Sequence, residues 1–344
     1  MPHKIPLPQS INYFWNFRSL IRLTYTIQLV SRILLSLRYY ARTGTSSFNS
    51  VEIIAREVDS RFIIRRFHLV RSQIIILLIY LHIRRSLYFG RRANLTITLQ
   101  RTIILLITIR AAFLRYVLPW GQISFWRATV ITGFLGVLPI RQDILEWVWR
   151  RFTVRHPTLT RFFSLHYLLR IFIAPLSIVH MLLLHQDRSR GPLGDRNDHY
   201  LPFWPYYGIK DIWPARVLIS TILIFTLFLI PETENLKNAN PIVTPTHIKP
   251  EWYFLIFYAI LRAVPSKVRR LLIILLSILI LVALLLARKN YSISITRTLI
   301  ASLFVTVCFI LGLLRGKPVE EPFLTSSLLL SLVYFRLATV IILF

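Results

Sequence analysis

Two apolar runs, each long enough to cross a bilayer, carry two histidines at the same interval. His68 and His82 lie 14 residues apart in RRFHLVRSQIIILLIYLHIRRSLYF, and His166 and His180 lie 14 apart in RFFSLHYLLRIFIAPLSIVHMLLLH. Inside lipid the backbone has no water to bond, so a spanning run of this length folds as a helix. A helix turns about 100° per residue, so 14 residues come within about 40° of closing four turns. Each pair therefore shares one helix face, roughly 21 Å apart along the axis at about 1.5 Å per residue. Two such helices side by side offer two stacked His–His pairs. That arrangement suits two haems, each clamped above and below by imidazole nitrogens. A single histidine on an apolar face is ordinarily a satisfied core residue; the repeated interval argues against that here.

The chain has 344 residues, 55% of them hydrophobic, and apolar stretches of spanning length recur from end to end. It reads as a polytopic membrane protein. The lone cysteine, Cys308, excludes a disulfide framework and any cysteine-ligated metal cluster within the chain. The opening MPHKIPLPQSINYFWNF has neither the apolar core of a secretory signal nor the Arg-rich amphipathic pattern of a transit peptide. A net charge of +28 would ordinarily suggest a nucleic-acid partner. The arginines form no basic tail or stripe, however, and many fall inside the apolar runs. Apolar 20-mers do not make a soluble basic surface, so that class is excluded.

Taken in order, eight spans are predicted: 17–37, 62–89, 95–118, 160–185, 215–230, 268–287, 295–314 and 323–344. The segment ARTGTSSFNSVEIIAREVDS between the first two reads as a polar loop with turn-forming residues. PWGQ (119–122) breaks the third span. The following ISFWRATVITGFLGVLP is apolar but short and interrupted, and reads as a helical hairpin at the membrane surface. The exit from the fourth span, HQDRSRGPLGDRNDHYLPFWPYYGIKDIWP, is a Pro/Gly-rich loop of functional length. PETENLKNANPIVTPTHIKPEWY contains four prolines and is not a span. The fold class is thus all-α and polytopic, with the first four of eight helices forming an up-down bundle around the histidines. Spans two and four run the same way, so His68 pairs with His166 and His82 with His180.

Both histidine pairs, together with YVLPWGQISFW (116–126), TLTRFFSLH (158–166), NPIVTPTHIKPEWYFLIFYAILRAVPSK (240–267) and GKPVEEPF (316–323), resemble the mitochondrial cytochrome b family, the haem-carrying core of respiratory complex III. The likeness covers nearly the whole length, and PEWY in this context is highly specific. The union of both halves in one chain points to the respiratory type.

The resemblance implies roles by position. His68 and His166 would ligate the iron of a low-potential haem b near the intermembrane side, and His82 and His180 that of a high-potential haem b near the matrix. Arg65 and Arg85 match arginines that pair with haem propionates; a buried carboxylate needs such a partner. Pro250, Glu251, Trp252 and Tyr253 would form the quinol-oxidation site with the hairpin after Pro119. Glu251 is a candidate proton acceptor, since a partly buried carboxylate can be tuned towards neutral pKa. His185, Ser189, Lys210 and Asp211 would serve quinone reduction, the last two from the loop before span five. His3, His156, His199 and His247 receive no role. Two domains follow: 1–212, the dihaem bundle with the quinone-reduction loop, and 213–344, the C-terminal domain with the PEWY loop.

The family further implies a multi-pass protein of the mitochondrial inner membrane and ubiquinone/ubiquinol as substrates. Its partners would be a Rieske iron–sulfur subunit, a cytochrome c1-type subunit, other complex III subunits and membrane lipids, in a homodimeric complex. Activity would be that of a subunit of ubiquinol–cytochrome c reductase, coupled to proton translocation and complete only with those partners. The competing reading is a dihaem b membrane anchor of another quinone-linked oxidoreductase, in which PEWY and the last three spans have no role. A haem-free transporter would show no reduced b-type absorbance.

The chain departs from the family in one way. Glycine is common in the family where this sequence has arginine, among other places at Arg18, Arg32, Arg71, Arg101, Arg115 and Arg127. Arg18 and Arg32, and Arg101 and Arg115, repeat the interval of 14 on spans one and three, the bundle walls that supply no histidine. A flat macrocycle needs those walls close, and glycine permits that approach. Three explanations compete: real arginines compensated by acidic lipids or partners, a decayed gene copy, or codons that the organelle decodes or edits to glycine. One substitution type at coherent sites fits the third best.

Overall fold

In a computed structural model, all residues are described except 1–5, 43–44, 58–60, 90–94, 138–139, 150–152, 187–198, 229–232, 246–247, 249, 287–294, 319 and 344. The described chain is helical almost throughout, with twelve α-helices. In chain order they are α1 (Phe17–Ser36), α2 (Thr45–Arg56), α3 (Arg61–Tyr88), α4 (Leu95–Val117), α5 (Gln122–Gly133), α6 (Arg141–Trp149), α7 (His156–Gln186), α8 (Gly208–Phe228), α9 (Leu255–Arg262), α10 (Lys267–Leu286), α11 (Ile295–Arg315) and α12 (Phe323–Leu343). Each of the eight predicted spans corresponds to one long helix. Seven helical stretches are long and apolar enough to cross a membrane: 63–88, 95–117, 156–186, 203–228, 267–286, 298–315 and 323–343. The exception is α1, whose 20 residues include Arg18, Arg22 and Arg32.

The helices form two packed groups. In the first, α1 lies against α3, α4 against α7, and α8 against α3 and α1. In the second, α9 to α12 close around Ala259, Ile260, Phe304, Leu311, Tyr334 and Ala338. Contacts of α10 with α4 and of α11 with α3 join the groups. Lipid is as apolar as these side chains, so helix association here rests on close packing and interhelical hydrogen bonds. Small and hydroxylated residues therefore occupy the contacts: Ser277, Ser327 and Ser331 are fully buried, and Tyr334 Oη donates to the Ser277 carbonyl at 3.4 Å.

The structure corrects two expectations and adds one detail to the all-α class. The segment read as a loop after α1 contains the 12-residue helix α2, closed by an i,i+4 pair between Glu52 and Arg56 at 2.7 Å. Helix continues upstream of the expected start of span five, so Lys210 and Asp211 sit in the first turns of α8 and not in a loop. Pro214 is the seventh residue of that helix, beyond its first turn, and removes the bond to the Lys210 carbonyl, which accepts instead from Asn16 Nδ2 at 3.0 Å. Finally, two short strands exist, β1 (Pro6–Pro8) and β2 (Tyr200–Pro202), paired antiparallel. They tie the chain's start to the approach of α8, and all else described conforms to the all-α class.

The expected surface hairpin is present as α5, a short 3-10 turn at 134–137, and α6. Neither helix is long enough to span. Trp149 Nε1 donates to Thr132 Oγ1 at 2.8 Å and holds the two arms together. The turn before α5 is sharp: Trp120 has φ +53° and is buried. At Gly121 a Cβ would lie 2.4 Å from the Asn235 carbonyl oxygen, so only glycine lets these backbones meet.

Candidate functional site

The histidines come together as their spacing implied. α3 and α7 face one another across the bundle, with α1 packed on the first and α4 on the second. His68 lies within electrostatic reach of His166, and His82 of His180. His166 is buried, and its Nδ1 donates to the Ala111 carbonyl on α4 at 2.9 Å. That bond fixes the tautomer and leaves Nε2 as the metal-binding nitrogen, the usual arrangement at a ligating imidazole. His68 is held from α1 on both ring nitrogens: Nδ1 meets Ser31 Oγ at 2.9 Å and Nε2 meets Gln28 Nε2 at 3.1 Å. Gln28 Nε2 also donates to the His68 carbonyl at 3.0 Å. Gln28 and Ser31 are polar residues inside a span, and that was their signal in the sequence.

The His82–His180 end opens on a cavity of about 590 Å³, lined also by His185, Lys210 and Asp211. That volume is within the range of about 300–1,000 Å³ typical of small-molecule and cofactor sites. Residues expected in two separate roles thus border one space. Lys210 Nζ donates to the Ile11 carbonyl, and its own carbonyl accepts from the buried Asn16 Nδ2 at 3.0 Å. Asp211 faces Ser19, Arg22 and Lys210. His185 lies exposed at the end of α7. Ser189 and His247 lie outside the described residues.

Of the two arginines matched to haem propionates, Arg85 is buried with its guanidinium 3.8 Å above the Trp15 ring. Arg65 is half-buried near the start of α3, in reach of Glu52.

PEWY docks on the bundle. Pro250 and Tyr253 are buried, Glu251 is half-buried and Trp252 is exposed. Gln73 of α3 bonds two of the four residues: its Nε2 donates to Glu251 Oε2 at 3.2 Å, and its Oε1 accepts from Trp252 Nε1 at 2.8 Å. Tyr80 Oη donates to the Tyr253 carbonyl at 3.0 Å. The Tyr253 ring packs with Ile76 and Ala112, and burial pushes its phenol above the ordinary tyrosine range. From α5, the buried Arg127 lies 3.8 Å from Glu251 Oε1 and stacks 3.9 Å over Tyr116.

The loop leading to PEWY is fixed by the turn before α5. Ala239 N donates to the Trp120 carbonyl at 3.2 Å, and Gln122 N to the Lys237 carbonyl at 2.9 Å. Asn235 Oδ1 accepts from Ser124 N and Oγ, at 3.1 and 2.9 Å. Gln122 Nε2 donates to the Val243 carbonyl at 2.6 Å, and its Oε1 accepts from Asn240 N at 2.7 Å. PWGQ and the asparagines of the later loop are therefore one structural unit.

The donor set suits two haems, but the surrounding walls suit them unequally. At the His82–His180 end there is open space, bordered by Arg18 and Arg101, which lie in reach of His82 as Arg85 does, and His82 Nδ1 is buried with no hydrogen-bond partner among the described residues. At the His68–His166 end the residues as written do not fit a macrocycle. The buried guanidiniums of Arg115 and Arg170 are in reach of both imidazoles, Arg71 of the first and Arg32 of the second. A cation at mid-membrane costs at least ~2.5 kcal/mol before any pairing.

Comparison with known proteins follows the same division of the chain. A family model described as Cytochrome b/b6/petB matches residues 3–188, and one described as Cytochrome b(C-terminal)/b6/petD matches residues 238–335. Among solved structures the chain is similar to one described as a hyperthermophilic respiratory Complex III, with 24% identity and a TM-score of 0.90 over 98% of this chain and 92% of that one. At that identity the likeness is one of fold.

Proposed function

The chain belongs to the cytochrome b/b6 family, and we propose that it is the cytochrome b subunit of a mitochondrial ubiquinol–cytochrome c reductase. The observation that carries this reading is the shared cavity at one end of the bundle. His82 and His180 border it together with His185, Lys210 and Asp211, residues drawn from three separate stretches of sequence. A quinone-reduction pocket beside a haem slot requires that adjacency.

The proposed division of labour places a haem bundle with the quinone-reduction pocket in 1–212 and the PEWY quinol-oxidation loop with the last helices in 213–344. His82 and His180 would hold one haem b, and His68 and His166 a second only with smaller residues than the arginines written at 32, 71, 115 and 170; such groups supply one-electron carriers when bound. The protein's own residues do the rest. A quinol loses two protons as it loses two electrons. Glu251, anchored by Gln73, takes one proton, while Trp252 and Tyr253 shape the pocket. Lys210, Asp211 and His185 donate hydrogen bonds and protons at the opposite pocket, with Ser189 as a further candidate. Arg65 and Arg85 would meet propionates.

The first electron must leave for an acceptor on another subunit, since a single cysteine cannot hold an iron–sulfur cluster. A Rieske-type subunit and a c1-type cytochrome suit that need, in a homodimeric complex of the inner membrane. A reduced-minus-oxidised spectrum with potentiometry tests the reading. Two b-type components, each responding to an inhibitor of one quinone site, are expected. A b-type signal insensitive to both inhibitor classes would instead fit a dihaem anchor of another enzyme.

A further inference from the structure

We infer that positions 32, 71, 115 and 170 carry glycine, or a residue as small and uncharged, in the protein the cell makes, and that arginine stands there because the gene's codons are not read as arginine in its own compartment. The inference rests on the cytochrome b reading only for what fills the space released.

The structure separates two kinds of arginine. Those of the first kind have partners suited to a guanidinium. Arg56 pairs with Glu52 at 2.7 Å. Arg262 donates to the carbonyls of Lys317 and Pro318 at 2.8 and 2.9 Å. Arg161 caps the end of α6 through the carbonyls of Trp147 and Val148. All three lie at helix ends or on the short surface helices, where cations are at home.

The second kind converges on the gap between His68 and His166. Arg32, Arg71, Arg115 and Arg170 are at most 8% exposed, and no carboxylate pairs with any of them among the described residues. Arg71 turns back on its own helix, with Nε donating to the Phe67 carbonyl at 3.1 Å and the guanidinium 4.0 Å over the Phe67 ring. Arg32 does the same to a neighbour: Nη1 meets the Tyr167 carbonyl at 3.0 Å, and the group lies 4.4 Å over the Tyr167 ring. Arg115 reaches Tyr253 Oη at 3.5 Å. Nη1 atoms of Arg71, Arg115 and Arg170 are buried without a hydrogen-bond partner. Four cations facing one another in lipid-shielded protein repel each other and lack counter-charge.

Helix α1 points the same way independently. It has the length of a span and lies within the bundle, yet alone among the eight long helices it fails to be apolar enough. Its three arginines are the charged residues it contains. Arg170 extends the set beyond the departures visible from sequence, because only its burial beside the imidazoles marks it.

Two measurements on protein from the native membrane test this. Trypsin digestion followed by peptide mass spectrometry should show loss of cleavage after positions 32, 71, 115 and 170, with the residue mass of glycine or another small uncharged residue there, and retained cleavage after 56 and 161. In the gene, the codons at the four positions should form a set not used at 56, 161 and 262. Arginine masses and cleavage at the four positions would overturn the inference. A spectrum from the same membranes separates it from the functional reading. Arginine with two b-type components defeats the inference alone, and glycine without any b-type component defeats the function alone.

Discussion

Gln73 and Glu251 are 178 residues apart in sequence and 3.2 Å apart in the fold, from amide Nε2 to carboxylate Oε2. The same glutamine accepts from the Trp252 indole at 2.8 Å. It lies five residues beyond His68, on the helix that carries two of the four histidines. Gln73 from α3 and Arg127 from α5, the latter 3.8 Å from Oε1, therefore set the orientation of the candidate proton acceptor relative to the bundle.

Replacing Gln73 by leucine removes both bonds while keeping bulk. A hydrogen bond to a charged group contributes about 1.5–3 kcal/mol, which corresponds to roughly a tenfold to hundredfold loss of quinol oxidation. The b-type spectrum should be unchanged. Steady-state quinol oxidation in assembled membranes checks this, and an unaltered rate would remove Gln73 from the site.

Gly121→Ala should destabilise the protein, because the new methyl would sit 2.4 Å from the backbone carbonyl of Asn235. Overpacking of this kind typically costs about 1–3 kcal/mol. Gly133 is the control: nothing lies within 4 Å of a Cβ built there, so Gly133→Ala should be neutral or mildly stabilising, by about 0.4–1 kcal/mol. Thermal unfolding of the detergent-solubilised chain distinguishes the two.

Asp211→Asn should slow quinone reduction with little effect on quinol oxidation, since Asp211 borders the cavity at the His82–His180 end and PEWY lies elsewhere. Re-oxidation of the reduced b-type signal by added quinone gives the readout. Equal loss at both sites would indicate that Asp211 serves assembly alone.

His166→Leu and His180→Leu should each remove a different b-type component. The first loses the imidazole anchored on the Ala111 carbonyl, the second an imidazole bordering the open cavity. Redox titration resolves them. Loss of the same component in both variants would contradict the pairing of His68 with His166 and His82 with His180.

How far the sequence foretold this arrangement depended on the range of the interactions involved. Spans were legible because lipid imposes helices and 20-residue lengths. The histidine pairs were legible because helical periodicity is local. By contrast, Gln73, Gln28, Ser31 and the Ala111 carbonyl act through contacts between different helices, and no local pattern announces which partners meet. Helix α2 escaped notice because its Ser, Thr and Asn residues also favour turns, while its Glu52–Arg56 pair takes effect only once the helix forms. Lys210 and Asp211 were misplaced because Pro205 and Pro214 suggested a break, yet helix α8 runs through Pro214, with Asn16 of the chain's opening segment bonding the Lys210 carbonyl that the proline leaves free. Arg170 was passed over because its position matters only through the neighbours that bury it.

The turn at Trp120–Gly121 and the loop around Asn235 to Val243 hold each other through backbone and side-chain bonds from both directions. The seam therefore depends on complementary surfaces and not on the peptide link between α8 and Thr233. A backbone cut just ahead of Thr233 should leave two fragments that recognise each other in the membrane, and a gene divided there should still yield one working assembly from two separately made pieces.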